Sequence, residues 1–354
     1  MKARIIIGAN YGDEGKGTVT ARYVKDSSNA LNVLTNGGSQ RGHSILTKDG
    51  SITYRHFGSG TYYGADNYYS RYFILNPVQF TQEYNELIIK PKKIYRDAYC
   101  KWTTIYDMLA NLISERAKKR HASCCMGIWN TIRRTKELGF LFFDKFMLLS
   151  EKQQLLYLNK IKTYYEKELD IPDMFKDIWN NPALAIHFIN DCKFMYKFTE
   201  VIELKQLNYE DIIFENGQGL LLSDTGADTY DTTPSNTGIT YSLELLKDLN
   251  ADDITAHYVT RPYLTRHGDG SVQNEKNKQF ISQDIKNDRT NHYNEFQGDF
   301  RYGVLDIKDL HKRITDDAKN INFILEVTHC DEMDNTALLK AEFDNVNTYD
   351  NALV

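Results

Sequence analysis

Long apolar runs are missing from this 354-residue chain, and so is any surplus of positive charge. The apolar stretch near the start, within MKARIIIGANYGDEGKG, is too short for a signal peptide, and no later segment is long enough to span a bilayer. The expectation is a cytoplasmic protein without a membrane partner. Lysine and arginine (43) are outnumbered by aspartate and glutamate (48), giving a formal net charge of −5. That argues against a nucleic-acid polymer as partner, because neutralising several phosphates takes a basic face. Cysteine is sparse. The five present (Cys100, Cys124, Cys125, Cys192 and Cys330) are odd in number and show no paired metal-ligand spacing. A reducing compartment follows, without a disulfide framework or a zinc cage. No Pro-, Gly- or Ser-rich linker divides the chain, and there is no internal repeat.

With 41% hydrophobic and 26% charged residues, the chain has an ordinary globular composition and the length for a sizeable core. Arg4 to Ala9 is short and β-branched, the pattern of a fully buried strand. It runs into the loop Asn10 to Gly17, and Thr18 to Lys25 reads as a helix. Leu31 to Leu34 predicts the next strand, followed by a second glycine-containing loop, Asn36 to His43. The middle is helical in pattern over Thr104 to Lys119, Lys136 to about Glu168, and Asp173 to Lys205. From Asp211 the chain returns to short strands that end in polar loops: IIFENGQG, ITAHYVTRPYLTRHGDG and INFILEVTHCDEMD. The expected fold is one α/β domain over residues 1–354. It has a mostly parallel central sheet flanked by helices, a P-loop-like nucleotide-binding architecture, and a mainly helical insert at 100–205.

The first loop carries the most chemistry. Gly12, Gly15 and Gly17 let backbone N–H groups approach phosphate oxygens, the following helix adds a partial positive charge, and Lys16 adds a full one. Asp13 can hold Mg²⁺ or act as a base. The spacing is not a Walker A loop, because no glycine stands five residues before Gly15 and Lys16 is followed by Gly17. Taken alone, His43 after a glycine reads as a structural loop histidine, and Gln218 between glycines as a turn.

Together these segments resemble the adenylosuccinate synthetases. Gly12-Asp13-Glu14-Gly15-Lys16-Gly17 is similar to the family's GDEGKG, Gly37 to Ser44 to its GGHNAGHT, and Phe214 to Leu222 to its FEGAQGTLL. The resemblance implies a Mg²⁺-dependent ligase that uses ATP, dATP or GTP to join L-aspartate to C6 of a purine nucleoside monophosphate. Asp13 would remove the N1 proton, His43 would be the general acid, and Gln218 would donate to the C6 oxygen as charge develops. Mg²⁺ would rest on Asp13 and the Gly42 carbonyl. Gly12, Gly15, Lys16, Gly17, Thr18, Gly42 and Asp331 fall on triphosphate-binding positions, with Asp331 in Thr328-His329-Cys330-Asp331 matching the base-reading TKLD. Ser39, Gln40, Ser123, Cys124, Arg133, Arg134 and Thr233 fall on or near positions that contact the purine monophosphate. One of Arg133 and Arg134 would reach across a homodimer interface, or both would be solvated helix charges. Arg301, Gln297 and Arg266 are the aspartate-binding set, in a loop whose usual run of arginines is reduced to Arg301.

The departures from the family pattern point to its viral branch, which takes dGMP to make a 2-aminoadenine precursor. Ser39, Gln40 and Cys124 replace family residues that contact substrate, whereas Asp13, His43 and Gln218 are kept. Some viral members carry serine in place of Asp13, so its retention weighs toward IMP. The reading places dGMP ahead of IMP, with the ordinary IMP, aspartate and GTP reaction as the alternative and the host cytoplasm as location if viral. A P-loop GTPase or nucleotide kinase would share Lys16, but needs Ser or Thr directly after it and leaves His43 and Gln218 unexplained.

Overall fold

The computed structural model describes residues 1–48, 50–118, 123–224, 232–288, 293 and 298–350. In chain order the N-terminal part comprises β1 (Lys2–Gly8), α1 (Lys16–Lys25), β2 (Ala30–Leu34), β3 (Gly37–Gly38), β4 (His43–Thr47) and β5 (Gly50–Tyr54). It continues with β6 (Asp66–Tyr69), β7 (Phe73–Ile74), α2 (Pro77–Glu86) and β8 (Ile94–Arg96). The helical middle is α3 (Ile105–Lys118), α4 (Ile128–Leu138), α5 (Phe143–Met147), α6 (Glu151–Glu166), α7 (Asp173–Asn180) and α8 (Pro182–Phe198). The C-terminal part comprises β9 (Glu200–Val201), β10 (Asp211–Gly219), α9 (Thr240–Leu246), β11 (Asp253–Thr260), β12 (Leu264–His267) and β13 (Phe300–Gly303). It closes with α10 (Ile307–Ala318), β14 (Phe323–Val327), α11 (Thr336–Glu342) and β15 (Val346–Thr348).

Nine strands form one sheet in the order β15-β14-β11-β1-β10-β2-β6-β8-β9, and every described pairing in it is parallel. Parallel pairing requires crossovers, which cover both faces with helices, so strands apolar on both sides are stable only here. β1 shows the consequence. Ile5 and Ile7 pack to one side with Phe214, Tyr258 and Leu325, while Ile6 packs to the other with Val19 and Val24 of α1. Burial of each such side chain contributes about 1.5–3 kcal/mol. The strand order reverses around β1 and β10, leaving a crevice at their carboxyl ends.

The helical middle is more broken than its sequence pattern. α4 stops at Gly139, whose φ of 84° leaves the helical region, and α6 restarts at a capping box of Ser150 and Gln153. Pro182 opens α8 at its first turn, with Asn181 as cap. Helix was expected as far as Lys205, but α8 ends at Phe198 and Glu200–Val201 returns as an edge strand beside β8. Trp102, Phe146, Phe188 and Met195 make the core of this region, continuous with Leu34 and Tyr69 of the sheet. Among the described residues, no helix is long and apolar enough to cross a membrane.

Candidate functional site

The loop after β1 turns sharply twice, with φ of 116° at Gly12 and 93° at Gly15, conformations that glycine tolerates and other residues rarely adopt. Gly15 is the N-cap of α1 and provides no side-chain cap, so the first N–H groups of the helix keep their capacity for an anion. Glu14 shapes the loop from inside. Its Oε1 accepts from the N–H groups of Asn10 (2.9 Å) and Gly12 (2.8 Å). Lys16 is buried and donates to the Gly12 carbonyl at 2.6 Å and to Glu14 at 3.4 Å.

An open cleft of about 570 Å³ lies over this loop, lined by Gly12, Asp13, Gly15, Lys16, Gly17 and Thr18 from its own side. Gly42, His43 and Ser44 of the second glycine loop also line it, as do Arg261, Asp288 and His329. Burial disfavours charge on Asp13, but a hydrogen bond to His267 (3.4 Å) and the charges of His267, Arg261 and Lys16 hold its carboxyl below the usual range. The Asp13 carbonyl accepts from Arg261 Nε at 2.7 Å, and Arg261 in turn pairs with Asp288 at 2.6 Å.

His43 opens β4 with its Nδ1 at 2.5 Å from Oε1 of Glu215, a residue in the middle of β10 with no solvent exposure. Burial, joined by the charge of Arg41, pushes the His43 pKa below its ordinary value despite the carboxylate beside it. Glu215 itself stays ionised. Burial opposes its charge, but Arg41 at 3.1 Å, His43 and the Ser59 hydroxyl at 2.6 Å outweigh that opposition. A carboxylate only accepts, so Nδ1 of His43 carries the proton and Nε2 is left for another partner.

Gln218 sits beside the cleft, not on its wall. The register between β1 and β10 slips after Ile6–Glu215, so that Gly8 pairs with Gly219, and the extra residues place Gln218 at a φ of 59°. Its Cα is 3.0 Å from where a Gly12 Cβ would stand, and its Oε1 is 3.2 Å from the corresponding point on Gly37. It therefore lies between the two glycine loops, with that oxygen buried and without a partner. Gln40 is next to it at Gly37, and both polar atoms of its carboxamide are likewise buried without partners. Ser39 accepts from Asn76 at 3.1 Å, and Cys124 Sγ is 3.9 Å from the Gln40 carbonyl. Ser123 bonds Asn111 at 3.1 Å. Thr233 is tied to Leu222 and Ser235 through its backbone, and Ser235 reaches Asn36 at 3.0 Å.

Other expected residues lie elsewhere. Arg134 cannot reach across an interface as it stands. It is buried, with Nε 2.8 Å and Nη2 3.0 Å from Asp107 and a further bond to the Trp102 carbonyl, so it ties α4 to α3. Arg133 is exposed and pairs with Glu168. Asp331 accepts from Lys286 at 3.2 Å, and its neighbour His329 is the one on the cleft wall, its pKa pushed down to about 3 by burial and Arg261. Arg301 and Arg266 face each other across β12 and β13. Arg301 pairs with Glu275 at 3.1 Å and with the carbonyls of Gly268 and Gly270; Arg266 donates to the Ser271 carbonyl at 2.7 Å. Gln297 lies outside the described residues. Sequence reasoning gave no role to Glu14, Glu215, Arg261 or His267. Glu14 and Glu215 stand inside the motifs, and being charged in an otherwise apolar or glycine-rich run was the available signal.

A fully parallel sheet, a glycine loop feeding an uncapped helix, and a cleft lined by both an ionised carboxylate and a histidine define an α/β protein of the kind that holds phosphate-bearing ligands. The adenylosuccinate synthetase family profile matches residues 5–341, and the chain belongs to that family. The adenylosuccinate synthetase of Lactobacillus acidophilus is 27% identical over 294 residues, which is 78% of this chain and 65% of that protein. That of Clostridium botulinum (strain Eklund 17B / Type B) is 23% identical, over 78% of this chain and 66% of its own length. The chain thus spans about two thirds of the length of these curated relatives. Two solved structures share the fold. Fully ligated adenylosuccinate synthetase from Plasmodium falciparum has a TM-score of 0.68 at 20% identity, covering 95% of this chain and 78% of that one. Cyanophage S-2L succinoaminodeoxyadenylate synthetase, bound to dGMP and dATP, has a TM-score of 0.66 at 12% identity, covering 99% and 91%.

Proposed function

We propose that the chain is a ligase that joins aspartate to C6 of a purine nucleoside monophosphate, driven by a nucleoside triphosphate. The observation that carries this reading is that Asp13 and His43 line one cleft together with Lys16 and the uncapped start of α1. A C6 oxygen is a poor leaving group until phosphorylated, so the site must first move a proton and then stabilise a transferred phosphoryl group. Asp13, ionised, takes the proton from purine N1, and the C6 oxygen attacks the γ-phosphate. His43 presents Nε2 toward that phosphoryl group because Glu215 occupies Nδ1. The anionic phosphate raises the depressed pKa of His43, so the imidazole holds a proton once the substrates are bound. The aspartate amine then attacks C6, and phosphate leaves with the oxygen. Gln218, beside Gly12, supplies its amide to the C6 oxygen.

The donor set fits magnesium: an ionised carboxylate and a glycine carbonyl on one cleft are hard oxygen ligands, and Mg²⁺ takes its remaining ligands from phosphates and water. Asp13 and Gly42 would hold it, and it would neutralise charge on the triphosphate. Lys16, Gly15, Gly17 and Thr18 bind that triphosphate, and Arg301 with Arg266 receives the dicarboxylate. A homodimer is part of the same reading.

The favoured purine nucleotide is dGMP, yielding a 2-amino-N6-succinyl-deoxyadenylate, with ATP, dATP or GTP as energy donor. The carboxamide of Gln40 and Oε1 of Gln218, buried without partners, offer donor and acceptor atoms between the glycine loops, and a guanine's exocyclic amine needs an acceptor there. The test is incubation with aspartate, Mg²⁺ and either ATP or GTP, offering IMP, GMP and dGMP in parallel. Mass spectrometry then identifies the product. Succinylation of IMP alone would assign the ordinary adenylosuccinate reaction; no aspartate adduct with any of them would refute the ligase reading.

A further inference from the structure

We propose that Arg55 is the cation that holds the 5′-phosphate of the purine nucleotide. The inference rests on the ligase reading above and gives a role to a residue outside the glycine loops.

The other cations around the cleft each have an acidic partner of their own. Lys16 is held by Glu14 and the Gly12 carbonyl, Arg41 by Glu215, and Arg261 by Asp288 and the Asp13 carbonyl. Arg55 follows β5 and is half-buried, with its backbone N–H fixed by both oxygens of Glu83 at 3.1 Å. Among the described residues its guanidinium pairs with no carboxylate. Its Nη1 stands 3.7 Å from the Cβ position of Gly42, a residue on the cleft wall. Its charge also reaches the Cys124 thiol, lowering the pKa against the burial that raises it.

The surroundings are built for an anion that they do not themselves neutralise. Residues 123–127 read Ser-Cys-Cys-Met-Gly and carry no charge, yet they lead into α4, whose N-cap Gly127 provides no side-chain cap. The first residue of α4, Ile128, abuts Gly38 of the second glycine loop, and the unpartnered Gln40 carboxamide borders the same glycine. Arg55, the start of α4 and Gln40 thus all border the second glycine loop, at Gly42 and Gly38. A planar guanidinium matches phosphate oxygens in a way that a thiol at position 124 cannot. The triphosphate already has Lys16 and the α1 N-terminus, which leaves Arg55 for the monophosphate.

The test is calorimetric binding of dGMP and IMP, and of the phosphate-free nucleosides, to the full chain and to Arg55→Met and Arg55→Lys. Losing one charge-assisted contact should weaken monophosphate binding roughly ten- to a hundredfold in Arg55→Met, and several-fold in Arg55→Lys. Nucleoside and ATP affinities should stay as in the wild type. The melting temperature of Arg55→Met should hold too; if that variant does not fold, Arg55→Lys carries the comparison. Unchanged monophosphate affinity, or a loss confined to ATP, overturns the assignment. Failure of the wild type to bind any purine monophosphate overturns the ligase reading and Arg55's role with it.

Discussion

Replacing Glu215 by glutamine exchanges a single oxygen for nitrogen, yet the surroundings of that carboxylate leave no place for an amide. Oε1 accepts from His43 Nδ1 (2.5 Å) and Ser59 Oγ (2.6 Å), while Oε2 faces the Ser59 N–H (3.0 Å) and Arg41 (3.1 Å). If the amide oxygen keeps the His43 side, its NH₂ meets two donors, and the Arg41 guanidinium is left buried without a counter-charge. If the amide is turned, NH₂ faces His43, Nδ1 must accept from it, and the imidazole can no longer carry the second proton that it holds beside the bound phosphoryl group. Removing one partner of a buried ion pair costs about 3–5 kcal/mol, so Glu215→Gln should lower the unfolding free energy by that amount, read as a lower urea midpoint with little change in slope. Turnover in the folded fraction should fall roughly 10²–10⁴-fold, the usual worth of a positioned acid–base group. Ser59→Ala, which removes one donor to Glu215 and no charge, should cost only about 1 kcal/mol. Paired urea denaturation and steady-state assays on the two variants would decide it. A Glu215→Gln protein with wild-type stability and turnover would refute the claim that this carboxylate sets the state of His43.

Asp13→Asn should abolish turnover while the protein still melts cooperatively, since the amide cannot take the N1 proton; a residual rate near wild type would remove Asp13 from that role. His56 gives a pH signature. Its Nε2 accepts the Asn76 N–H at 2.9 Å, and burial together with Arg41 drives its pKa down to about 3. The unfolded chain binds this proton near pH 6.5 and the folded one does not, so the unfolded state holds more protons in between and stability falls as pH drops from about 6.5 toward 3. The contribution lost is on the order of a few kcal/mol, and His56→Gln should flatten that limb of a pH series of urea midpoints. Arg134→Met should destabilise by about 3–5 kcal/mol through the orphaned Asp107 and leave the KM for the purine nucleotide unchanged; a selective rise in that KM would restore Arg134 to the substrate.

The sequence made the frame of the site legible for a local reason. Glycines at 12, 15 and 17 beside Lys16, between a β-branched run and a helix, are a property of adjacent residues, and the turn they form needs nothing from the rest of the chain. The supporting charges depend on contacts far apart in sequence. Glu215 meets His43 across 172 positions, and Arg261 reaches the Asp13 carbonyl across 248. Spacing cannot announce such pairs. Arg134 was misread for the same reason: on α4 alone it looks like one of several surface charges, and only the packing of α3 supplies Asp107. The end of the helical middle was overextended because residues 199–205 keep a Lys- and Glu-rich composition after the edge of the sheet has claimed Glu200 and Val201.

In the proposed reaction the Asp13–His43 cleft phosphorylates the C6 oxygen of a purine nucleotide and then replaces it with aspartate. Its most direct test is to supply the purine nucleotide labelled with heavy oxygen at C6, together with aspartate, Mg²⁺ and a triphosphate. Mass spectrometry then follows the label. The label should appear in the released phosphate, one for each aspartate joined, and none should be released when aspartate is omitted. Phosphate released without label, or a purine that keeps its labelled oxygen while the triphosphate is consumed, would contradict that reaction.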